Sequence, residues 1–374
     1  MPDWDEFRRL MPVTRRWVFL DHAAVAPLPS TAADALAEFG ADLRDHGIAS
    51  HRRWVQRISE VRRLAARLLN ARTEEIAFIK NTSEGICFVA EGFPWRPGDN
   101  VVIAAEEYPS NQYPWMNQAS RGVECRRVPS RGSRIVVDDI REAIDSHTRI
   151  VSLSFVEFAS GFRNDLMTIG AMCRERGIYF FVDAIQGLGI LPLDVRRCPV
   201  DFLAADSHKW LLGPEGIGVF WIRADLIDML HPISVGWNSV VDPLDFTRID
   251  FHLKPTAERW EGGAPNGAGI HALGASLELL LRYGVSALEE RVLSLTEELC
   301  ERSVRAGMRV FSSRRSGEAS GIVSLETPGR DPAELVRRCR ARNVIVNHRA
   351  GRLRVSPHAY NTEGDLEQFL EAVA

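Results

Sequence analysis

Several things are scarce in this sequence. Its six cysteines (Cys87, Cys125, Cys173, Cys198, Cys300 and Cys339) form no C-x-x-C pair and have no histidine at metal-ligand spacing. That speaks against a metal site or a disulfide framework and predicts reduced thiols in a cytoplasmic setting. Positive charge is not in excess: 46 Lys and Arg stand against 50 Asp and Glu, a formal net charge of -4. A nucleic-acid partner, which needs many cations to neutralise phosphates, is not expected. Long apolar runs are missing too. The stretch 150–162 is broken by Glu157, and 179–193 by Asp183 and Gln186, so neither reaches the roughly 18 residues of a membrane span. Asp3, Asp5 and Glu6 sit where a secretion signal needs positive charge. No repeat or low-complexity tract is present, so the expectation is a soluble protein with no membrane partner.

What remains is the composition of an ordinary globular chain, 45% hydrophobic and 26% charged over 374 residues, enough for about two domains. Short apolar runs at 76–79, 101–104, 150–153, 179–182, 202–205 and 218–221 alternate with helix-like spacers. Runs without polar alternation indicate strands covered on both faces, hence an α/β fold with a mostly parallel sheet between helices. Helices are predicted at 138–144 and at 166–176, the second closed by Gly177. Residues 231–268 are rich in Pro, Gly, Asn and Trp without a period and predict a long irregular segment. Helices follow at 270–283, closed by Gly284, and at 285–305. Strands near 344–346 and 353–355, with a helix opened by Thr362 and Asp365, predict a smaller α+β unit.

In open α/β sheets, ligands bind beyond the carboxyl ends of the strands. Asp183 directly follows the run 179–182, where a buried carboxylate needs a cation or donors; its alternative use is as an N-cap. Lys209, in Ser207-His208-Lys209-Trp210, lies between a strand and the Gly-rich stretch 212–218. Desolvation there would lower its pKa and make it a nucleophilic amine, against the common use of lysine as a solvated charge. Thr82 and Ser83 stand at the start of a helix, where hydroxyls and free N–H groups suit a phosphate or serve as plain caps. Arg354 offers a fork to a carboxylate or a surface ion pair. Together, an imine-forming lysine, an aspartate for a pyridinium nitrogen, a phosphate site and a carboxylate clamp are the parts a pyridoxal phosphate (PLP) enzyme needs.

The segments 182–187 (VDAIQG) and 206–218 (DSHKWLLGPEGIG) resemble the class V aminotransferase family, which includes cysteine desulfurases, selenocysteine lyases and isopenicillin N epimerase-like proteins. Further resemblance lies in 20–24, 81–85, 107–115, 260–266 and 354–361, so it spans nearly the whole chain. It implies the PLP-dependent transferase fold type I: an N-terminal arm (1–50) joining the small domain, a large PLP-binding domain (51–262) and a small C-terminal domain (263–374). It further implies that Lys209 holds PLP as a Schiff base and moves protons at Cα, and that Asp183 keeps the ring nitrogen protonated. Gln186 would donate to the ring oxygen, and Thr82, Ser83 and His208 would hold the phosphate. Tyr108 would cover one ring face, and Arg354 would clamp the carboxylate of a small amino acid substrate. A homodimer follows, because in the family the 261–265 loop reaches the partner's phosphate.

Three positions depart from the family: Phe158 replaces an Asn, Ala264 a Thr and Asp206 a phosphate-binding Ser. Asp206 would repel a phosphate unless turned away, so Ser207 or backbone N–H groups are expected to compensate. Residues 347–351 carry no Cys where sulfur-releasing relatives place one. Cys339 falls in a helical stretch, 332–342, which disfavours a persulfide-forming desulfurase. Family precedence puts aminotransfer first, with carbon-sulfur β-lysis and epimerisation as alternatives and a catalytically silent binding protein as a remote one.

Overall fold

The computed structural model describes residues 2–374. Along the chain, helices Trp4–Arg9, Ser30–His46 and His51–Leu69 flank a two-residue strand, β1 (Val18–Phe19). The large sheet is built from β2 (Ile76–Ile79), β3 (Asn100–Ala104), β4 (Glu124–Val128), β5 (Thr148–Ser154), β6 (Tyr179–Asp183), β7 (Phe202–Asp206) and β8 (Gly218–Ile222). Its spatial order is β2-β8-β7-β6-β5-β3-β4. β8 runs antiparallel to both neighbours and every other pairing is parallel. The sheet is therefore mostly parallel, and successive residues of one strand feed opposite cores. Val102 and Ala104 join Leu153, Val182 and Leu203 on one face, while Val101 and Ile103 join Phe181 and Phe202 on the other. Burial on both faces explains the unbroken apolar runs.

β4 escaped the sequence reading for the converse reason. It is an edge strand of sequence ECRRV with Glu124 exposed, so it lacks the apolar signature.

As expected, 231–266 is irregular: it contains short 3-10 turns at Trp237–Ser239 and Ala257–Trp260 and one antiparallel bridge, Val240 to Leu253. The next helix, Gly267–Tyr283, begins three residues before the predicted start because the Asn266 side chain accepts from Gly269 N. Its Ile270, Leu273, Leu277 and Leu280 lie in the core of the large sheet. In the following helix, Val285–Arg305, Leu288 and Val292 belong to that same core, whereas Leu295 and Leu299 face the smaller one. On this packing we place the domain boundary inside Val285–Arg305 rather than at residue 263.

The small unit contains β9 (Arg309–Val310), β10 (Val323–Glu326), β11 (Val344–Ile345), β12 (Asn347–Arg349) and β13 (Arg352–Val355), with helices Pro332–Ala341 and Glu363–Val373. Thr362 and Asp365 form a reciprocal capping box at the last helix. β1 pairs in parallel with β11, and Asp21 bridges to Ser356. The N-terminal segment is thereby stitched to the small unit, while Ser30–His46 packs on Gly267–Tyr283.

β12 and β13 form a hairpin with Arg349 opposite Arg352. Its two turn residues, Ala350 and Gly351, both have positive φ, 47° and 73°, the geometry that suits the twist of a two-residue hairpin.

Candidate active site

The carboxyl ends of the parallel strands open onto a cavity of about 430 Å³, within the size range of cofactor sites. Asp183, the last residue of β6, lines it and is buried. Its Oδ1 accepts from Ile185 N at 3.0 Å. Burial pushes its carboxyl up to about 6, against the opposing pull of that hydrogen bond and of Lys209. Such a group gains from a buried cation beside it, which a protonated ring nitrogen supplies.

Lys209 comes from the turn after β7 and is 8% exposed. Burial lowers its amine to about 8, with Asp183 opposing and Arg354 reinforcing the drop. An amine so placed has a far larger neutral fraction near neutral pH than a solvated lysine, and the neutral form is the one that attacks an aldehyde. Its Nζ lies 5.5 Å from the centroid of the Tyr108 ring, so Tyr108 covers the cavity above the amine. Tyr108 meets Phe158 edge-on at 5.2 Å.

Thr82 and Ser83 open the helix Thr82–Gly92, whose first N–H groups have no acceptor one turn back. Both residues line the cavity. Gly85 lets that helix approach the sheet, since an added Cβ would stand 2.6 Å from Ala204 Cβ. Ser83 Oγ donates to Ser110 Oγ, and Thr82 Oγ1 accepts from Asp206 N at 3.0 Å.

His208 also lines the cavity, with Nδ1 2.9 Å from Asp206 Oδ1. The Asp206 carboxylate accepts from Ser207 N, 2.7 Å away, whereas the buried His208 Nδ1 beside it has no hydrogen-bond partner. Ser207 differs from expectation. It is fully buried, its hydroxyl donates to Pro214 O at 2.6 Å, and it braces the Gly-rich turn instead of lining the cavity. Compensation of Asp206 therefore falls to the backbone N–H of Ser207.

Gln186 lines the cavity too; its Nε2 donates to Ala23 O and its Oε1 accepts from Trp210 Nε1, each at 3.0 Å.

Arg354 also lines the cavity and is otherwise buried. It donates to Asp21 Oδ1 at 3.1 Å and to Phe158 O at 3.0 Å, while its buried Nε has no partner. The pairing with Asp21 was not foreseen, although the 20–24 motif carried the signal. Arg349 is a second cavity guanidinium, bonded to Asn347 Oδ1 and His348 O. Also unforeseen are two buried glutamates at the strand ends. Glu107 accepts from Ser154 N at 2.6 Å, and burial with the nearby Glu157 charge raises it well above the ordinary carboxylate range. Burial pushes Glu157 up to about 8, and its Oε2 has no partner.

None of the six cysteines lines the cavity. Cys339 is buried within Pro332–Ala341. Ala264 lines a separate cavity with Lys80 and Glu84.

A depressed buried lysine, a buried aspartate at the neighbouring strand end, a helix N-terminus with hydroxyls and a histidine match the donor set that PLP requires. Fold and cavity together define a PLP-dependent enzyme of fold type I. Residues 18–369 match the family model described as "Aminotransferase class-V", and the chain belongs to that family.

The chain is 30% identical to a probable cysteine desulfurase of Methanothermobacter thermautotrophicus, covering 99% of this chain and 98% of the relative. It superposes on the apo structure of a cysteine desulfurase from Thermococcus onnurineus NA1 with a TM-score of 0.90 at 25% identity, over 99% of this chain and 97% of the other. A cystine C-S lyase, solved with its reaction product cysteine persulfide, has the same fold, with a TM-score of 0.91 at 22% identity over 97% and 98% of the two chains. Among the described residues no helix is long and apolar enough to cross a membrane.

Proposed function

We propose that this chain cleaves the Cβ–S bond of a small, cysteine-like α-amino acid and releases the sulfur directly. The observation that carries the reading is a lysine-bearing PLP cavity without a thiol in a chain matched end to end by a probable cysteine desulfurase. Aminotransfer, placed first on the sequence, gives way because that relative is named for carbon-sulfur chemistry.

When bound, PLP supplies an electron sink for charge developing at Cα. Lys209 would hold the cofactor, and its amine is the base placed to take the Cα proton. Asp183 would pair with the ring nitrogen, Tyr108 would cover a ring face and Gln186 would donate to the ring oxygen. Thr82, Ser83, His208 and the helix N-terminus would hold the phosphate, and Arg354 would receive the substrate carboxylate. Loss of the Cα proton and of sulfur as sulfide, followed by uptake of water, converts cysteine to pyruvate, ammonia and hydrogen sulfide.

The exposed apolar side chains Leu244, Phe246, Ile249 and Phe251 support a homodimer, since a patch of this kind marks an association surface. Light scattering at the mass of one chain would defeat that part.

The deciding experiment gives the PLP-loaded protein single amino acids and follows sulfide, pyruvate, alanine and keto acid. Equal yields of pyruvate and sulfide from cysteine over many turnovers are expected. Alanine with a protein-bound persulfide would point to a desulfurase, and a single stoichiometric yield of keto acid to an aminotransferase; either overturns the proposal.

A further inference from the structure

The side-chain amide of Gln186 has a donor end and an acceptor end, and its use depends on which one faces the cofactor. An indole N–H can only donate. Trp210 Nε1 lies 3.0 Å from the Gln186 amide, so the atom facing the indole must be the oxygen; turning the amide round would set N–H against N–H. At the other end, Nε2 carries two hydrogens, one of which goes to Ala23 O at 3.0 Å. One N–H remains, on a side chain that lines the Lys209 cavity.

Trp210 itself has little freedom. It is fully buried and stacks on His358 at 6.0 Å. Gly321 lies so close that an added Cβ would stand 2.5 Å from Trp210 Cη2. A fixed indole therefore fixes the amide.

We propose that Trp210 is a positioning residue that holds Gln186 as an obligate hydrogen-bond donor toward the ring oxygen of the Lys209-bound cofactor. The inference rests on the role given to Gln186 above. Its consequence is electronic: a donor on the ring oxygen draws electron density from it and weakens its hold on the proton at the Lys209 nitrogen. The pH at which the visible absorption band of the loaded protein changes is thereby kept low.

The test is a pH titration of that band in the PLP-loaded wild type, Trp210→Phe, Gln186→Leu and the double variant. Loss of one hydrogen bond to a charged group corresponds to a rise of about 1 to 2 pH units in the midpoint. Trp210→Phe and Gln186→Leu should each raise it, and Trp210→Phe should add nothing in the Gln186→Leu background. If Gln186→Leu leaves the midpoint in place, the assignment of Gln186 fails, and this inference with it. If Gln186→Leu moves the midpoint but Trp210→Phe does not, or if the two shifts add, the inference alone fails. Should Trp210→Phe not fold, incorporation of benzothienylalanine at 210 keeps the ring shape, replaces the indole N–H by sulfur and must give the same rise.

Discussion

Asp21 and Arg354 meet at 3.1 Å between the N-terminal segment and β13, both buried, and the second Asp21 oxygen accepts from Asn347 Nδ2 at 2.9 Å. The arginine assigned to the substrate carboxylate is thus held in place by a residue far away in sequence. Removing one partner of a buried pair leaves an uncompensated charge and costs about 3 to 5 kcal/mol. Asp21→Ala should destabilise the protein on that scale in denaturant titrations and raise KM more than it lowers kcat. Unchanged unfolding midpoints would show that the pair contributes little.

The Lys209 amine, lowered to about 8, sets a pH dependence for cofactor capture. Only the neutral amine attacks the PLP aldehyde, so the capture rate should climb with pH and level off above about 8. A solvated lysine would still be gaining near its ordinary value, 10.5. Stopped-flow absorbance on apo-protein measures this, and Lys209→Ala should give folded protein with no band that borohydride can fix.

Glu157 bears on stability. Its carboxyl is raised from 4.5 to about 8 in the folded protein, so across that window the folded state holds a proton that the unfolded chain has released. Its effect is therefore least costly below about 4.5. Stability falls by up to about 1.4 kcal/mol per pH unit as the pH rises toward 8. Glu157→Gln should remove this slope and make apo-protein more stable than wild type above pH 8. Parallel stability-pH curves for the two proteins would refute it.

Gly85 seats the phosphate-facing helix. The Cβ of Gly85→Ala would overlap Ala204 Cβ at 2.6 Å and crowd Ile79 at 3.1 Å, and overpacking of this kind costs about 1 to 3 kcal/mol. Part of that cost is relieved by lifting the helix N-terminus from the cavity. PLP affinity, read by equilibrium dialysis, should fall about tenfold; an unaltered Kd would mean that the helix absorbs the methyl without moving.

The interior strands of the large sheet were legible because each is an uninterrupted apolar run covered on both faces. Lys209 and Asp183 were legible because polar residues at the ends of such runs have few other places to go. Contacts set by distant parts of the chain were not. β1 and β11 are two residues each, and Val18 pairs with Val344, a residue far away in sequence. The Asp21 partner of Arg354 was hidden for the same reason. Ser207 shows a finer limit: whether its hydroxyl faces the cavity or Pro214 O is decided by the path of the turn, which its neighbours in sequence do not report. The split of Val285–Arg305 between two cores is likewise invisible in a helix pattern that runs unbroken along its length.

The two-residue turn between β12 and β13 has a consequence outside the protein. A connection of that length has no reach, so on the lyase reading sulfur cannot be carried from the cavity to a docked acceptor. It would leave as dissolved sulfide. Its fate would then depend on how avidly other molecules scavenge sulfide from solution, and no recognition surface for a sulfur carrier would be needed on this enzyme.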